Sequence, residues 1–587
     1  MDHVTSRNTS LPGTLAAADS PAVSAHRLHR HKPADVIGTR SYDDNHAESQ
    51  QGYQARCVVQ PRCADRCLRA QEPADLIVAN AAIYTLNPDR PWAEAIAIRD
   101  GRIVALGSTM EIRARFTGTE RDALGAMVLP GFHDAHAHPI DAGVDLSRCD
   151  LSAAEALEQI LAAVADCDAR DPGDGWLLGH GWSLGLFAEG NPHKSLLDGI
   201  AANRPILLAG ADGHSSWANS FAITLAGIDA DTQDPPLGVI ERDADGPPSG
   251  TLRETAQGLL WSLVPEPGTS ELEAALRRAV GILNSVGVTS VIEANADARD
   301  LDAYTNLAAA GDLTVRVVAS IGNAVFDELP AQALEQLASI NPSYLSAGSA
   351  KIFLDGVLEG ETAALLEPYS GARGGGRGRL SLSAEALARR VTELDAAGIQ
   401  VHVHAIGDWA VQTALNAFAA ARRVNGERDN RHHIAHLQLV DPGDYARFAA
   451  LDVTANFQPV WAFPDDYIIN INLPQVGPAR VERMYPIGSL ARAGARIVAG
   501  SDWNVTTPNP LVAIETALTR QDQSGRRTAV LNAEEAVDLD TMLRAYTVNG
   551  AWLMRQEQAT GMLAPGMRAD FVILDKNLFE IPASEIG

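Results

Sequence analysis

The sequence predicts an α/β protein: a (β/α)8 barrel with an insertion after its first strand, plus a small composite β-sandwich built from the two ends of the chain. Three observations carry this. Eight short runs rich in β-branched and apolar residues lie between positions 127 and 503, each ending in Gly or polar residues. Ala/Leu-rich amphipathic stretches separate them at intervals of mostly 20–50 residues, the rhythm of parallel strands joined by helices. The exception is the gap from His138 to Val288, whose 149 intervening residues exceed what one helix needs.

In chain order, residues 1–72 stand apart. They hold nine basic and eight acidic residues and five of the sixteen histidines, without helix or strand periodicity. They read as a disordered arm, or as sequence upstream of the true start. No 7–15-residue apolar segment follows the start, so no secretory signal is expected. Cys57, Cys63 and Cys67 lack the paired CxxC spacing of a zinc knuckle and read as surface thiols.

From Pro73, ADLIVANAAIYTL and AEAIAIRDGRIVALGS alternate apolar and polar residues around Asp100-Gly101, a hairpin signal. GMLAPGMRADFVILD (561–575) is a matching strand at the far end. Residues 73–128 and 555–587 are therefore expected to form the composite sandwich. The barrel then spans 129–554, with an inserted subdomain at about 140–285. Its strands are read in MVLPGFHDAHAH (127–138), VTSVIEA (288–294), LTVRVVASI (313–321), AKIFLDG (350–356), IQVHVHAIG (399–407), HHIAHLQL (432–439), DVTANFQP (452–459) and ARIVAGSDW (495–503).

Composition narrows the function. With 46% hydrophobic residues the chain can bury a large core. A net charge of −27 repels phosphate backbones and anionic lipid, so no nucleic-acid partner and no membrane partner is expected. No apolar run approaches a membrane span. Five cysteines in 587 residues form no disulfide framework, and a cytoplasmic location is the expectation.

In a barrel of this kind chemistry sits at the C-terminal ends of strands. The first strand ends in His136-Ala137-His138, whose i, i+2 spacing turns both imidazoles to one side. His404 ends the fifth strand, His436 lies late in the sixth, and Asp502 follows Gly500-Ser501 at the end of the eighth. A lone strand histidine is usually a hydrogen-bonded core residue. Four of them with an aspartate at one end of one barrel point instead to a divalent metal, with one or two ions left open. By parity His133 and His433 face the helices, while His402 and His432 point inward as packing or supporting groups. The fourth strand carries Lys351, one of only four lysines in the chain. Burial lowers an amine's pKa, and a neutral amine can take up carbon dioxide to become a carbamate (N6-carboxylysine), an anion able to bridge two metals. The competing reading is an ammonium paired with Asp355 or Glu293.

These motifs, with PGFHDAHAHP, GHGWS, LLAGADGHSSWANS, KIFLDGVLEGETAALLEPY, VHAIGDWAV, RHHIAHLQ and GSDWNVTTPNP, resemble the YtcJ-like branch of the amidohydrolase superfamily, which includes N-substituted formamide deformylases. The resemblance covers about 73–575. It implies a divalent metal centre, usually zinc, in a barrel flanked by a composite β-domain, and accounts for the long insertion. Ala435 departs from the branch, which usually places Glu there. Glu293 stands where the branch often has another polar residue, and no catalytic role is assigned to it.

The ligand set predicts metal-activated water attacking an amide or N-substituted formamide, with Asp502 as proton acceptor and donor. His214, in Asp212-Gly213-His214, is expected to reach over the barrel mouth to the substrate carbonyl; a structural loop histidine is the alternative. Asp212, Trp182, Trp217, Trp461 and Trp503 are the candidate substrate-binding residues, the tryptophans being equally at home in a core. GARGGGRGRL (371–380) lacks the Lys-Ser/Thr of a phosphate loop and reads as a basic, mobile loop or lid. The competing functions are another reaction at the same metal site (deamination, ester hydrolysis or decarboxylation) and a non-catalytic binding or regulatory barrel. A small-molecule substrate is expected, and a homodimer is left open.

Overall fold

The eight runs form one all-parallel sheet: β1 (Phe132–Ala137), β2 (Val288–Ala296), β3 (Arg316–Ile321), β4 (Leu345–Phe353), β5 (Gln400–Ala405), β6 (His433–His436), β7 (Thr454–Phe457) and β8 (Ile497–Ala499). They follow sequence order around the barrel. This computed structural model describes residues 71–187, 190–322, 344–370 and 376–587. The arm up to residue 70, with Cys57, Cys63 and Cys67, and the glycine-rich stretch 371–375 lie outside the described residues.

The two edges of the sheet meet at the site end. The Asp502 N–H donates to the His136 carbonyl at 2.7 Å and the Ser501 N–H to Asp134 Oδ1 at 3.0 Å. The Asn456 amide donates to the Ala135 carbonyl at 2.9 Å. Gly500 makes this approach feasible, because a Cβ there would lie 2.5 Å from the His136 nitrogen.

Amphipathic helices cover the outside, including Ala298–Ala310, Ala384–Ala396 and Asp408–Asn425. Each follows a strand end and buries an apolar stripe, as Leu301, Tyr304 and Leu307 do on the first of them. Asp297 and Ser383 cap two of these helices by accepting backbone N–H bonds. Four-stranded sheets flank the barrel. Phe571–Leu574 pairs antiparallel with Met127–Pro130, so the two ends of the chain do share a sheet. Val78, Ile83, Ile96, Ile103, Val128 and Leu563 form the core joining this sheet to its neighbour.

The insertion holds a six-stranded sheet running from Cys149–Asp150 at one edge to Val239–Arg242 at the other. Cys149 is disulfide-bonded to Cys167, 18 positions on in the helix Leu157–Arg170. Five cysteines predict no disulfide framework; one bridge is present, pinning an edge strand to the helix beside it.

The parity read for β6 is corrected. His433 lies beside His402 across the sheet, their rings 4.1 Å apart, and so faces the barrel interior. His432 faces outward, stacked on Phe418 and bonded to Asp395 at 3.1 Å. His436 nevertheless reaches the site, because its backbone is left-handed, with φ +78°, and breaks the alternation.

Candidate metal centre

β1, β4, β5, β6 and β8 deliver their polar ends to one place. One side-chain donor atom from each of His136, His138 and Asp502 lies within 4.8 Å of the others. Asp502 Oδ1 is 3.4 Å from His136 Nε2 and 3.3 Å from His138 Nε2, and Oδ2 is 3.8 Å from His436 Nδ1. Lys351 Nζ is 3.3 Å from His136 Nε2. The His404 ring packs on His436 with centroids 4.4 Å apart, but its Nε2 is 3.4 Å from the Gly356 carbonyl. His404 is thus at the margin of the cluster and the other five form its centre.

The electrostatics suit a cation. Burial pushes His136 down to about 3 and His404 and His436 well below the usual imidazole range, so these rings are neutral and carry lone pairs. Burial would raise Asp502, but His136, His138 and His436 hold it well below the carboxylate range. Burial lowers the Lys351 amine to about 7, against the pull of Asp502 and Glu293. His436 Nδ1 is buried and has no hydrogen-bond partner among the described residues. An orphaned imidazole nitrogen facing a carboxylate, beside two further neutral imidazoles, is a donor set that fits a divalent ion.

A chain of hydrogen bonds behind His136 sets its tautomer. His136 Nδ1 meets His402 Nε2 at 2.9 Å, His402 Nδ1 meets Ser320 Oγ at 3.1 Å, and Ser320 Oγ meets Ser349 Oγ at 2.8 Å. With Nδ1 as donor to His402, the His136 Nε2 lone pair is free for the cluster. Behind His138, Glu293 Oε1 stands 3.7 Å from Nδ1, and its other oxygen accepts from the Tyr304 hydroxyl at 2.8 Å.

Over the mouth, the insertion places His214 with its ring 5.4 Å from His404. Its Nδ1 is 2.8 Å from Glu254 Oε2, and Glu254 Oε1 accepts from the Thr362 hydroxyl at 2.6 Å. Burial disfavours charge on His214, yet Glu254 more than offsets this and raises it to about 9. Sequence reasoning missed Glu254. It follows no motif and reaches His214 only because Pro248–Arg253 pairs with Ser215–Ala218.

The other candidates divide. Trp461 stacks on His436 at 5.9 Å and flanks the cluster. Trp503 lies in the β1/β8 seam, where its carbonyl accepts from the His138 N–H. Asp212 accepts from the Ser215 N–H and hydroxyl and so shapes the turn carrying His214. Trp182 and Trp217 correct the expectation of a tryptophan-lined pocket. Both are fully buried in the core of the insertion, Trp182 donating to the Leu208 carbonyl at 3.0 Å.

A parallel barrel with histidines, a lysine and an aspartate gathered at its C-terminal rim is a barrel with a candidate metal site. The amidohydrolase family profile matches residues 119–587, and the chain belongs to that family. It is 30% identical over 523 residues to Protein LONG AFTER FAR-RED 3 of Arabidopsis thaliana, covering 86% of this chain and 88% of that one. The putative amidohydrolase YtcJ of Bacillus subtilis is 29% identical, with 86% and 95% covered, and the N-substituted formamide deformylase of Arthrobacter pascens is 28% identical, with 87% and 95% covered. Among solved structures, a metal-dependent hydrolase from Pyrococcus furiosus superposes with a TM-score of 0.65 at 25% identity, covering 86% of this chain and 99% of that one.

Proposed function

We propose that this protein is a metal-dependent amidohydrolase that cleaves a non-peptide C–N bond, in an amide or N-substituted formamide, of a small-molecule substrate. The observation that carries the reading is the meeting of His136, His138 and Asp502 within 4.8 Å at the barrel rim. The similarity to an N-substituted formamide deformylase along most of both chains supports the choice of bond.

His136, His138 and Asp502 would hold one divalent ion, zinc being the natural choice for imidazole and carboxylate donors. His404 and His436 are the donors available to a second. Lys351, as a neutral buried amine, would add carbon dioxide with loss of one proton, and the resulting N6-carboxylysine would serve both positions. When bound, the cation would supply a water acidified toward neutral pH and a polarised carbonyl. Asp502 accepts a proton from the attacking water and returns it to the amide nitrogen as the C–N bond breaks. Water oxygen becomes part of the released acid, and the nitrogen leaves as the amine carrying the returned proton. His214, fixed through Nδ1 by Glu254, offers its Nε2–H to the carbonyl oxygen as negative charge develops there. Trp461 supplies an apolar wall beside His436.

The test is amine release from a panel of N-formyl and N-acyl amines by zinc-loaded protein, with esters and deaminase substrates as controls. Amide turnover is expected, and D502A should lose it by at least about a thousandfold while keeping its circular dichroism, as expected when the proton-transfer group is removed. Retained turnover in D502A, or ester or deaminase activity without amide turnover, would overturn the assignment.

A further inference from the structure

Phe353 is the last residue of β4, paired across the sheet with His404, and its ring centroid is 5.4 Å from the His404 ring. A large apolar side chain at the rim of the metal cluster would ordinarily be covered, yet Phe353 is 37% exposed. It opens into a cavity of about 620 Å³ that His214, Glu254, Asp355 and Gly356 also line, so the cavity begins where the proposed chemistry ends. Leu237, Val239 and Tyr369 continue its apolar wall.

Arg377 and Arg379 belong to the same lining. Their backbone is anchored. The Arg377 carbonyl accepts from the Leu365 N–H at 2.8 Å, and the Gly376 carbonyl from the Tyr369 N–H at 2.8 Å. Gly378 between them has φ +68°, and a Cβ there would fall 1.9 Å from the Ala363 carbonyl oxygen, so only glycine lets this segment lie so close. Among the described residues neither guanidinium has a hydrogen-bond or ion-pair partner. The acids of the cavity are already engaged: Glu254 by His214 and Thr362, Asp355 by the N–H groups of Ala364, Ile406 and Gly407. Glu361 is engaged as well. In a protein of net charge −27, two arginines on one anchored segment bring to this cavity positive charge that no hydrogen bond or ion pair among the described residues engages.

Building on the amidohydrolase reading, we propose that the cavity receives the substituent of the scissile amide, and that this substituent is an apolar arm ending in a carboxylate. Phe353, Leu237 and Val239 take the arm, and Arg377 and Arg379 take the carboxylate, for which the guanidinium fork is suited.

The experiment compares N-(2-phenylethyl)formamide with its para-carboxylated analogue on zinc-loaded protein, wild type and R377A/R379A. Calorimetric binding of the two product amines, 2-phenylethylamine and its para-carboxylate, is measured in parallel. The carboxylated formamide should have about tenfold higher kcat/KM, as for a charge-assisted contact, and this ratio should fall toward one in R377A/R379A and at high salt. Equal kcat/KM and equal binding for the two members in wild type would overturn the proposal, as would a preference that survives R377A/R379A. Tighter binding of the carboxylated amine that R377A/R379A abolishes, without turnover of either formamide, would uphold the cavity assignment and refute the amide reaction.

Discussion

Glu254 grips His214 twice. Its backbone N–H donates to the His214 carbonyl at 2.9 Å while its carboxylate meets the imidazole at 2.8 Å. Its own backbone is left-handed, φ +51°, a conformation that a glutamate adopts only when the surroundings hold it there. Gly356 leaves the room this needs, since a Cβ there would come 2.3 Å from Glu254 Oε1. The consequence is a ring fixed in direction as well as charge. E254Q keeps the shape and removes the charge, so kcat should fall about 10- to 100-fold, the usual cost of losing a supporting partner, with a smaller change in KM. A purely structural Glu254 would instead lower the thermal midpoint of E254Q and leave kcat alone.

At the scale of elements, Asp395 near the end of helix Ala384–Ala396 gathers three neighbours. It accepts from Asn425 at the end of the next helix, from Asn430 in the loop before β6, and meets His432 at 3.1 Å. Burial alone would raise this carboxyl, but His432, Asn425 and Asn430 bring it down to about 2. A carboxylate held below its unfolded value, about 4, contributes stability that is present above pH 4 and lost as the pH falls through about 2. The urea midpoints of wild type and D395N should therefore differ more at pH 5 than at pH 3. A gap that stays constant or widens at pH 3 would refute the linkage. Elements also explain what the sequence could and could not tell. His136, His138, Lys351, His404 and Asp502 were legible because strand ends in a parallel barrel all face the same rim. The inward turn of His433 was not, since the left-handed break at His436 makes period-two counting back from that residue fail by one. Trp182 and Trp217 look the same in sequence whether they line a pocket or fill a core. Glu254 depends on a pairing between segments some forty residues apart, which no local pattern records.

At the scale of the whole molecule, the strand that carries His136 is anchored by the C-terminal strand Phe571–Leu574. Phe571–Leu574 pairs with Met127–Pro130, and one residue later β1 begins its run to His136. The Asp570 carbonyl accepts from the Gly131 N–H at 3.0 Å, and its carboxylate pairs with Arg316 of β3 at 2.5 Å. The C-terminal strand therefore fixes the entry of β1 and the base of β3 together. Its loss would leave Met127–Pro130 paired only with Ala82–Tyr84 and Arg316 without this partner, costing about 4 kcal/mol if each ladder bond is worth about 1 kcal/mol net. Truncation after Ala569 should accordingly lower the thermal midpoint and weaken zinc retention under chelator competition, because His136 lies on the strand whose start has been released. A truncated protein that melts earlier but keeps zinc as tightly as the full chain would show that β1 is held by the barrel alone, with the terminal sheet contributing stability and nothing to the site.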